Sequence, residues 1–263
     1  MTYLPRVAAA TEAEWPDLAV ELDRWEEAGR TACLWWRDDD AVAATPQLDG
    51  LLSLAGDAPV ALAVIPADAQ AGLVRALDPF PQVAVLYHGW CHANHSANYP
   101  GAGKKSEYPA ERHPVAVADE LDEGRQRLRS LFGRRALPVF APPWNRFADR
   151  FLPLLVEAGL TTLSQQAPRK TPLPDGIAAL DIHLDVIDWH SDCGFIGTGR
   201  ALGRLLAELR QRRESGDDTA IGILTHHRIM DRATEDFLSQ LLLWTRGLPS
   251  ARWLGADELL AAR

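Results

Sequence analysis

Residues 31–40 read TACLWWRDDD. The apolar run is short and unbroken, as a buried strand requires, and it stops on three adjacent carboxylates, Asp38, Asp39 and Asp40. The same grammar recurs along the chain. VALAVI at 60–65 and VAVLY at 83–87 are apolar runs, and the second ends at His88. Leu137–Phe140 stops at Pro142 and Pro143, Ala179–Ile187 is strand-like, and AIGILT at 220–225 ends at His226 and His227. Helical spacing separates these runs at Pro46–Ala55, Gln70–Leu77, Val115–Phe132, Phe151–Ala158, Arg200–Arg213 and Thr234–Thr245, with a last helix over Gly255–Ala262. Buried strands alternating with helices predict a parallel sheet covered by helices. Polar clusters follow the strand ends, where parallel α/β folds gather their active sites. The organisation therefore points to an enzyme.

Ahead of this pattern, Trp15–Ala28 places Leu18, Leu22 and Trp25 on one helical stripe. We read residues 1–30 as a helical extension and residues 31–263 as one domain. Hydrophobic residues make up 47% and charged residues 24% of the 263, an ordinary globular composition. A net charge of −9 argues against nucleic-acid and anionic-membrane partners, which call for a basic face. Three cysteines without a CxxC pair fit neither a disulfide framework nor a Cys-rich zinc site. The acidic, Pro-containing N-terminal stretch lacks the pattern of a secretory signal. No apolar run approaches the ~20 residues that cross a bilayer. The expectation is a soluble, cytoplasmic protein of open oligomeric state. Of nine tryptophans, Trp35, Trp36, Trp90, Trp144 and Trp189 fall in or beside the polar clusters, which suggests an aromatic wall around one pocket.

Adjacent carboxylates repel unless a cation or hydrogen bonds offset them, so Asp38–Asp40 suits a divalent metal as well as a solvated turn. His88 and His92 in HGWCH can aim two imidazoles at one ion, with His95 just beyond, though a polar loop reads the same way. One of His226 and His227 suits general acid–base chemistry, because an unperturbed imidazole titrates near pH ~6.5. Asp185 or Asp188 in DVIDW can orient such an imidazole. The glycines of GFIGTGR (194–200) read as a turn or a loose anion cradle. Lys104, Lys105, Glu107 and Tyr108, inside the long loop 88–114, read as a lid or a solvated loop.

In this order the motifs resemble the polysaccharide deacetylase family, the NodB-homology carbohydrate esterases. WRDDD (36–40) is similar to its Thr-Phe-Asp-Asp motif, HGWCH (88–92) to its His metal motif, and APPW (141–144) in part to its Arg-x-Pro-aromatic motif. DVIDW (185–189) and LTH (224–226) match its last two motifs, so the resemblance covers about residues 31–227. It implies a distorted (β/α)7 barrel and an Asp-His-His metal site, with Zn²⁺ first and Co²⁺, Ni²⁺, Fe²⁺ or Mn²⁺ as alternatives. Carried over, the ligands are Asp39, His88 and His92, and Asp38 is the base. His226 is the acid, tuned by Asp188. The resemblance also implies a pocket of Trp144, Trp189, Trp90 and Arg146. The triple Asp leaves a second register open, with Asp39 and Asp40 as base and ligand; His227 and His95 stand as alternative or supporting groups. The family's arginine is Ala141 here, and Arg37 or Arg146 is the candidate replacement.

The implied activity is metal-dependent hydrolysis of an amide, with an N-acetylated sugar, glycan or related small molecule as substrate. Two alternatives stand beside it: a non-catalytic carbohydrate-binding or regulatory relative, and a hydrolase of non-acetyl cyclic amides. An iron oxygenase also uses two His and one carboxylate, but the alternation of helix and strand disfavours its β-rich fold.

Overall fold

The strand read at residues 31–36 continues as β1 (Ala32–Ala41) through all three aspartates. This computed structural model describes residues 12–99, 101, 103–169, 171–191 and 193–262. Residues 1–11 of the expected N-terminal extension lie outside that set. Around β1 stand β2 (Ala61–Val64), β3 (Ala84–Tyr87), β4 (Ala136–Phe140), β5 (Thr162–Leu163), β6 (Ala178–Ala179), β7 (Leu184–Asp185), β8 (Ile221–Thr225) and β9 (Ala251–Trp253). All pairings between them are parallel, in the order β6-β5-β4-β3-β2-β1-β8-β7. β9 pairs in parallel with the first residues of β1. The helices are α1 (Trp15–Glu27), α2 (Pro46–Ala55), α3 (Ala71–Ala76), α4 (Pro114–Phe132), α5 (Leu152–Glu157), α6 (Thr198–Ser215), α7 (Arg232–Thr245) and α8 (Ala256–Ala261).

The strand expected over Ala179–Ile187 is not one strand but a passage between the two edges of the sheet. Leu180 N–H donates to Leu163 O and Ile182 N–H to Gln165 O, on the β5 side. From the next residue the partner changes: His183 N–H donates to Gly222 O and Val186 N–H to Leu224 O, on the β8 side. The passage closes the sheet on itself, and the change of partner makes the architecture a distorted (β/α)7 barrel. Gly222 allows the close approach, because a Cβ there would lie 2.3 Å from Asp181 O and 2.6 Å from Trp35 Nε1. Trp35 Nε1 donates to Asp181 O (3.2 Å), propping the crossing from inside.

Two cores follow from the period-2 alternation of the strands. Inside the barrel, Trp35 packs with Ala61, Ala63, Leu86, Val139, Ile182 and Leu224. Outside, Leu34 and Trp36 join Leu62, Val64, Val85 and the helices. Both tryptophans are thus fully buried packing residues, which corrects their reading as pocket wall. The helix α1 packs with α6, and its Leu18, Leu22 and Trp25 enter the outer core as the stripe predicted. Its Glu21 is buried too, held by Arg213 at 2.7 Å. Among the described residues no helix is long and apolar enough to cross a membrane.

His183 sits in the closing passage with Nδ1 accepting from Gly222 N–H and Arg212 Nη2 2.8 Å from Nε2. Burial, then the Arg212 charge, pushes its pKa down from 6.5 to about 4. A depressed histidine favours the folded state while neutral, so its contribution is complete above pH 6.5 and is lost as pH falls through about 4. Chemical denaturation across that window should show His183→Asn losing less stability with acidification than the wild type, by about 2 kcal/mol. Parallel curves for the two proteins would contradict this.

Candidate active site

Alternation along β1 sorts the acidic cluster. Asp38 has the parity of Leu34 and Trp36 and faces the outer layer. It is wholly buried and accepts from Thr225 Oγ1 (2.6 Å) and His227 N–H (2.8 Å), with His227 Nδ1 against its other oxygen. Asp39 has the parity of Trp35 and Arg37 and faces the barrel mouth. Arg37 grips it with Nε 2.8 Å from Oδ1 and Nη2 2.9 Å from Oδ2. The same guanidinium donates to Ser164 O (3.0 Å), Ser164 Oγ (2.8 Å) and Asn145 Oδ1 (3.3 Å).

By parity Asp40 would face outward. Instead its φ is +71°, and the register with β2 shifts between Asp38 and Ala41. This left-handed kink brings its Oδ1 to 3.2 Å from His88 Nε2 and 3.3 Å from His92 Nε2. The sequence-based ligand set of Asp39, His88 and His92 therefore does not assemble as such. The carboxylate beside the two imidazoles is Asp40, and the three ligand atoms lie within 4.8 Å of one another. His95 lies outside this group, in a short 3₁₀ turn at His95–Asn98.

A divalent cation suits this set. His88 Nδ1 is 2.7 Å from Ala141 O, so that nitrogen is the donor and Nε2 presents its lone pair. Asp40 Oδ1 is buried and has no hydrogen-bond partner. Two imidazole nitrogens and a carboxylate oxygen converging on one point match the donor preferences of Zn²⁺ and its neighbours. Burial alone raises the Asp40 carboxyl, but the neighbouring His88 imidazole, followed by the charges of His226 and His92, holds it well below its usual range. Burial lowers His88, yet the Asp39 and Asp40 carboxylates outweigh it and raise the imidazole. His92 is pushed down by burial and then by His88.

His226 stands on the other side of the mouth, its Nε2 4.0 Å from Asp39 Oδ2. The Trp189 ring meets it edge-on at 4.8 Å and is 47% exposed. Trp189 Nε1 donates to Asp185 Oδ2 (2.8 Å), and Ile187 N–H to Asp185 Oδ1 (3.0 Å). Burial raises the Asp185 carboxyl, opposed by the charge of His226. Asp188 points elsewhere, pairing with Arg200 at 3.3 Å, so the DVIDW carboxylate beside His226 is Asp185. The Trp144 ring packs against His92 at 4.3 Å, tilted by 56°, with its own φ at +55°. Trp90 N–H and Cys91 N–H donate to Glu107 Oε1 at 3.1 and 2.8 Å. Arg146 donates to Lys105 O (2.7 Å) and lines a cavity of about 550 Å³ beside the site, together with Asn145, Gln165 and Tyr108.

Glu107 and Tyr108 are fully buried and so are no lid. In GFIGTGR, Gly197 precedes the first turn of α6. Nothing in the residue types around Ser164 and Asn145 marks them as partners of Arg37. The signal available for Arg37 and Asp39 was the strand parity of Trp35.

No family model matches the chain, and the search of curated proteins found no match. Solved structures match by fold. A polysaccharide deacetylase from Mycobacterium smegmatis aligns over 98% of this chain and 94% of its own, with TM-score 0.64 and 17% identity. The PuuE allantoinase aligns over 99% and 97%, with TM-score 0.63 and 12% identity. A family 4 acetyl xylan esterase from Clostridium thermocellum, in complex with a cobalt ion, aligns over 88% and 91%, with TM-score 0.52 and 12% identity. At these identities the likeness is one of fold, and the fold is that of the polysaccharide deacetylases.

Gly89, at φ +65°, has no room for a side chain: a Cβ would lie 1.9 Å from Glu107 Oε2 and 2.7 Å from Pro143 Cγ. Gly89→Ala should destabilise the protein by about 2 kcal/mol or more in a denaturant titration. A loss below about 0.5 kcal/mol, the size of an ordinary surface substitution, would show the loop to be built otherwise.

Proposed function

We propose that the protein is a metal-dependent amide hydrolase, an N-deacetylase of an acetylated sugar or related small molecule. The observation that carries this reading is the convergence of Asp40, His88 and His92 beside the Arg37-held Asp39, with His226 across the mouth. Asp40, His88 and His92 would hold the cation, Zn²⁺ by donor type. When bound, a divalent ion supplies Lewis acidity, lowering the pKa of water and polarising the scissile carbonyl.

The chain's own residues divide the proton work. Asp39 is the base that takes the proton of the attacking water; the Arg37 guanidinium fixes the orientation of both its oxygens. Arg37 thus stands in for the family arginine that Ala141 lacks, and Arg146 is left to the pocket beside the site. His226 is the acid, delivering a proton to the departing nitrogen as the C–N bond breaks. Asp185, through Trp189, frames that imidazole. The Trp144 N–H is the donor for the developing oxyanion. Asp38 does no chemistry here; with Thr225 and His227 it pins β8 to β1 and so sets the position of His226. Trp90 and Trp189 border the pocket.

A second reading, hydrolysis of a cyclic amide, is favoured by one observation. The fold fits the structure named as an allantoinase as fully as it fits the named deacetylase. The proton roles are the same in both readings, so a substrate panel separates them. Acetate release from N-acetylated sugars supports the first, and ring opening without acetate supports the second. Turnover of either kind excludes a non-catalytic binding protein.

Metal analysis should find about one divalent ion per chain. His88→Ala and Asp40→Ala should lose metal and turnover together. Asp39→Asn should retain the metal and lose turnover by about 10²-fold or more. Wild-type turnover in Asp39→Asn, or in metal-free protein, would contradict the proposal. Asp38→Asn should lower thermal stability more than it lowers metal content, since it disrupts the bonds to Thr225 and His227.

A further inference from the structure

Residues 88–92 carry two of the three proposed ligands, yet the loop lies beyond the end of β3 and before any helix. It turns sharply, with φ +65° at Gly89 and +56° at His92. A histidine held in the left-handed region is strained and persists only where its surroundings impose it. The restraint on this loop comes from 16 residues downstream of Cys91. Glu107 Oε1 accepts the N–H groups of both Trp90 and Cys91, at 3.1 and 2.8 Å. The Glu107 side chain is fully buried, where a hydrogen bond is electrostatically stronger than in water. Its own backbone is anchored in turn: Arg112 Nη1 donates to Glu107 O (3.3 Å), and Arg112 is paired with Glu120 of α4. Gly89 leaves the space that the other carboxylate oxygen, Oε2, fills.

We propose that Glu107 is a positioning residue for the candidate metal centre. Its carboxylate clamps the Trp90–Cys91 backbone so that His92 Nε2 is delivered to the point shared by Asp40 and His88. This inference rests on the reading of Asp40, His88 and His92 as metal ligands. Glu107 acts through two peptide N–H groups and touches neither substrate nor cation. One oxygen takes both bonds, so a glutamine at this position preserves the clamp and an alanine abolishes it. An aspartate is a methylene too short to reach.

Isothermal titration of the purified, metal-stripped full chain with Zn²⁺ tests this, together with the visible absorption of its Co²⁺ complex. Circular dichroism reports the fold of each variant. Glu107→Ala should bind Zn²⁺ about 10–100-fold more weakly than wild type, with a shifted Co²⁺ spectrum. Glu107→Gln should stay within about threefold of wild type, because the acceptor is retained. A folded Glu107→Ala protein with wild-type Zn²⁺ affinity and an unchanged Co²⁺ spectrum would overturn the proposal. Should Glu107→Ala not fold, Glu107→Asp decides: weaker binding by about fivefold or more supports the clamp, and wild-type affinity overturns it. A wild-type chain that binds no divalent ion overturns both this inference and the function on which it rests. Tight wild-type binding with an unaffected Glu107→Ala strikes the clamp alone.

Discussion

The buried pair between Arg37 and Asp39 orders the mouth of the barrel. Two residues apart on one face of β1, they meet through one guanidinium edge, Nε and Nη2, and both carboxylate oxygens. Neither charge reaches bulk water in any quantity, and leaving one of them unpaired in such a place costs about 3–5 kcal/mol. Arg37 spends its remaining donors on Ser164, which follows β5, and on Asn145, which follows β4. One side chain thus ties the first strand to the far wall of the barrel. It leaves the Asp39 carboxylate in a fixed orientation, facing His226.

The second constraint is a change of partner by one stretch of chain. Residues 180–186 leave the β5 side and join the β8 side without a turn between, which closes the barrel and carries DVIDW to the mouth. Asp185 and Trp189 reach His226 because of that passage. Trp35 and Gly222 make it sterically workable, one by supporting the Asp181 carbonyl and the other by giving it room. The bulky interior residue thus supports the passage that carries the polar ones to the mouth.

Much of this was legible in the sequence because buried parallel strands advertise themselves. The runs ending at Asp38–Asp40, His88 and His226 became β1, β3 and β8, and their ends do converge. Two features were hidden for physical reasons. Three identical aspartates carry no internal signal of register. Parity from Trp35 and Trp36 separates Asp38 from Asp39, but nothing in the residue types announces that Asp40 adopts φ +71° and turns back toward the histidines. Equally, Glu107 read as part of a charged loop, because a buried carboxylate is indistinguishable from a solvated one until its N–H partners are known. The aromatic residues divided in the same way. Trp144 and Trp189 stand against the site histidines, while Trp35 and Trp36 serve the two cores.

A kinked strand end, rather than the run of acids as such, brings together the proposed metal ligands. A crystal structure of the protein grown with Zn²⁺ and read by anomalous scattering tests it most directly. One peak is expected, bonded at ~2.0–2.2 Å to Asp40, His88 Nε2 and His92 Nε2, with Asp39 still gripped by Arg37. A peak coordinated by Asp38 or Asp39 in place of Asp40, or no peak among these residues at full Zn²⁺ occupancy elsewhere, would contradict it.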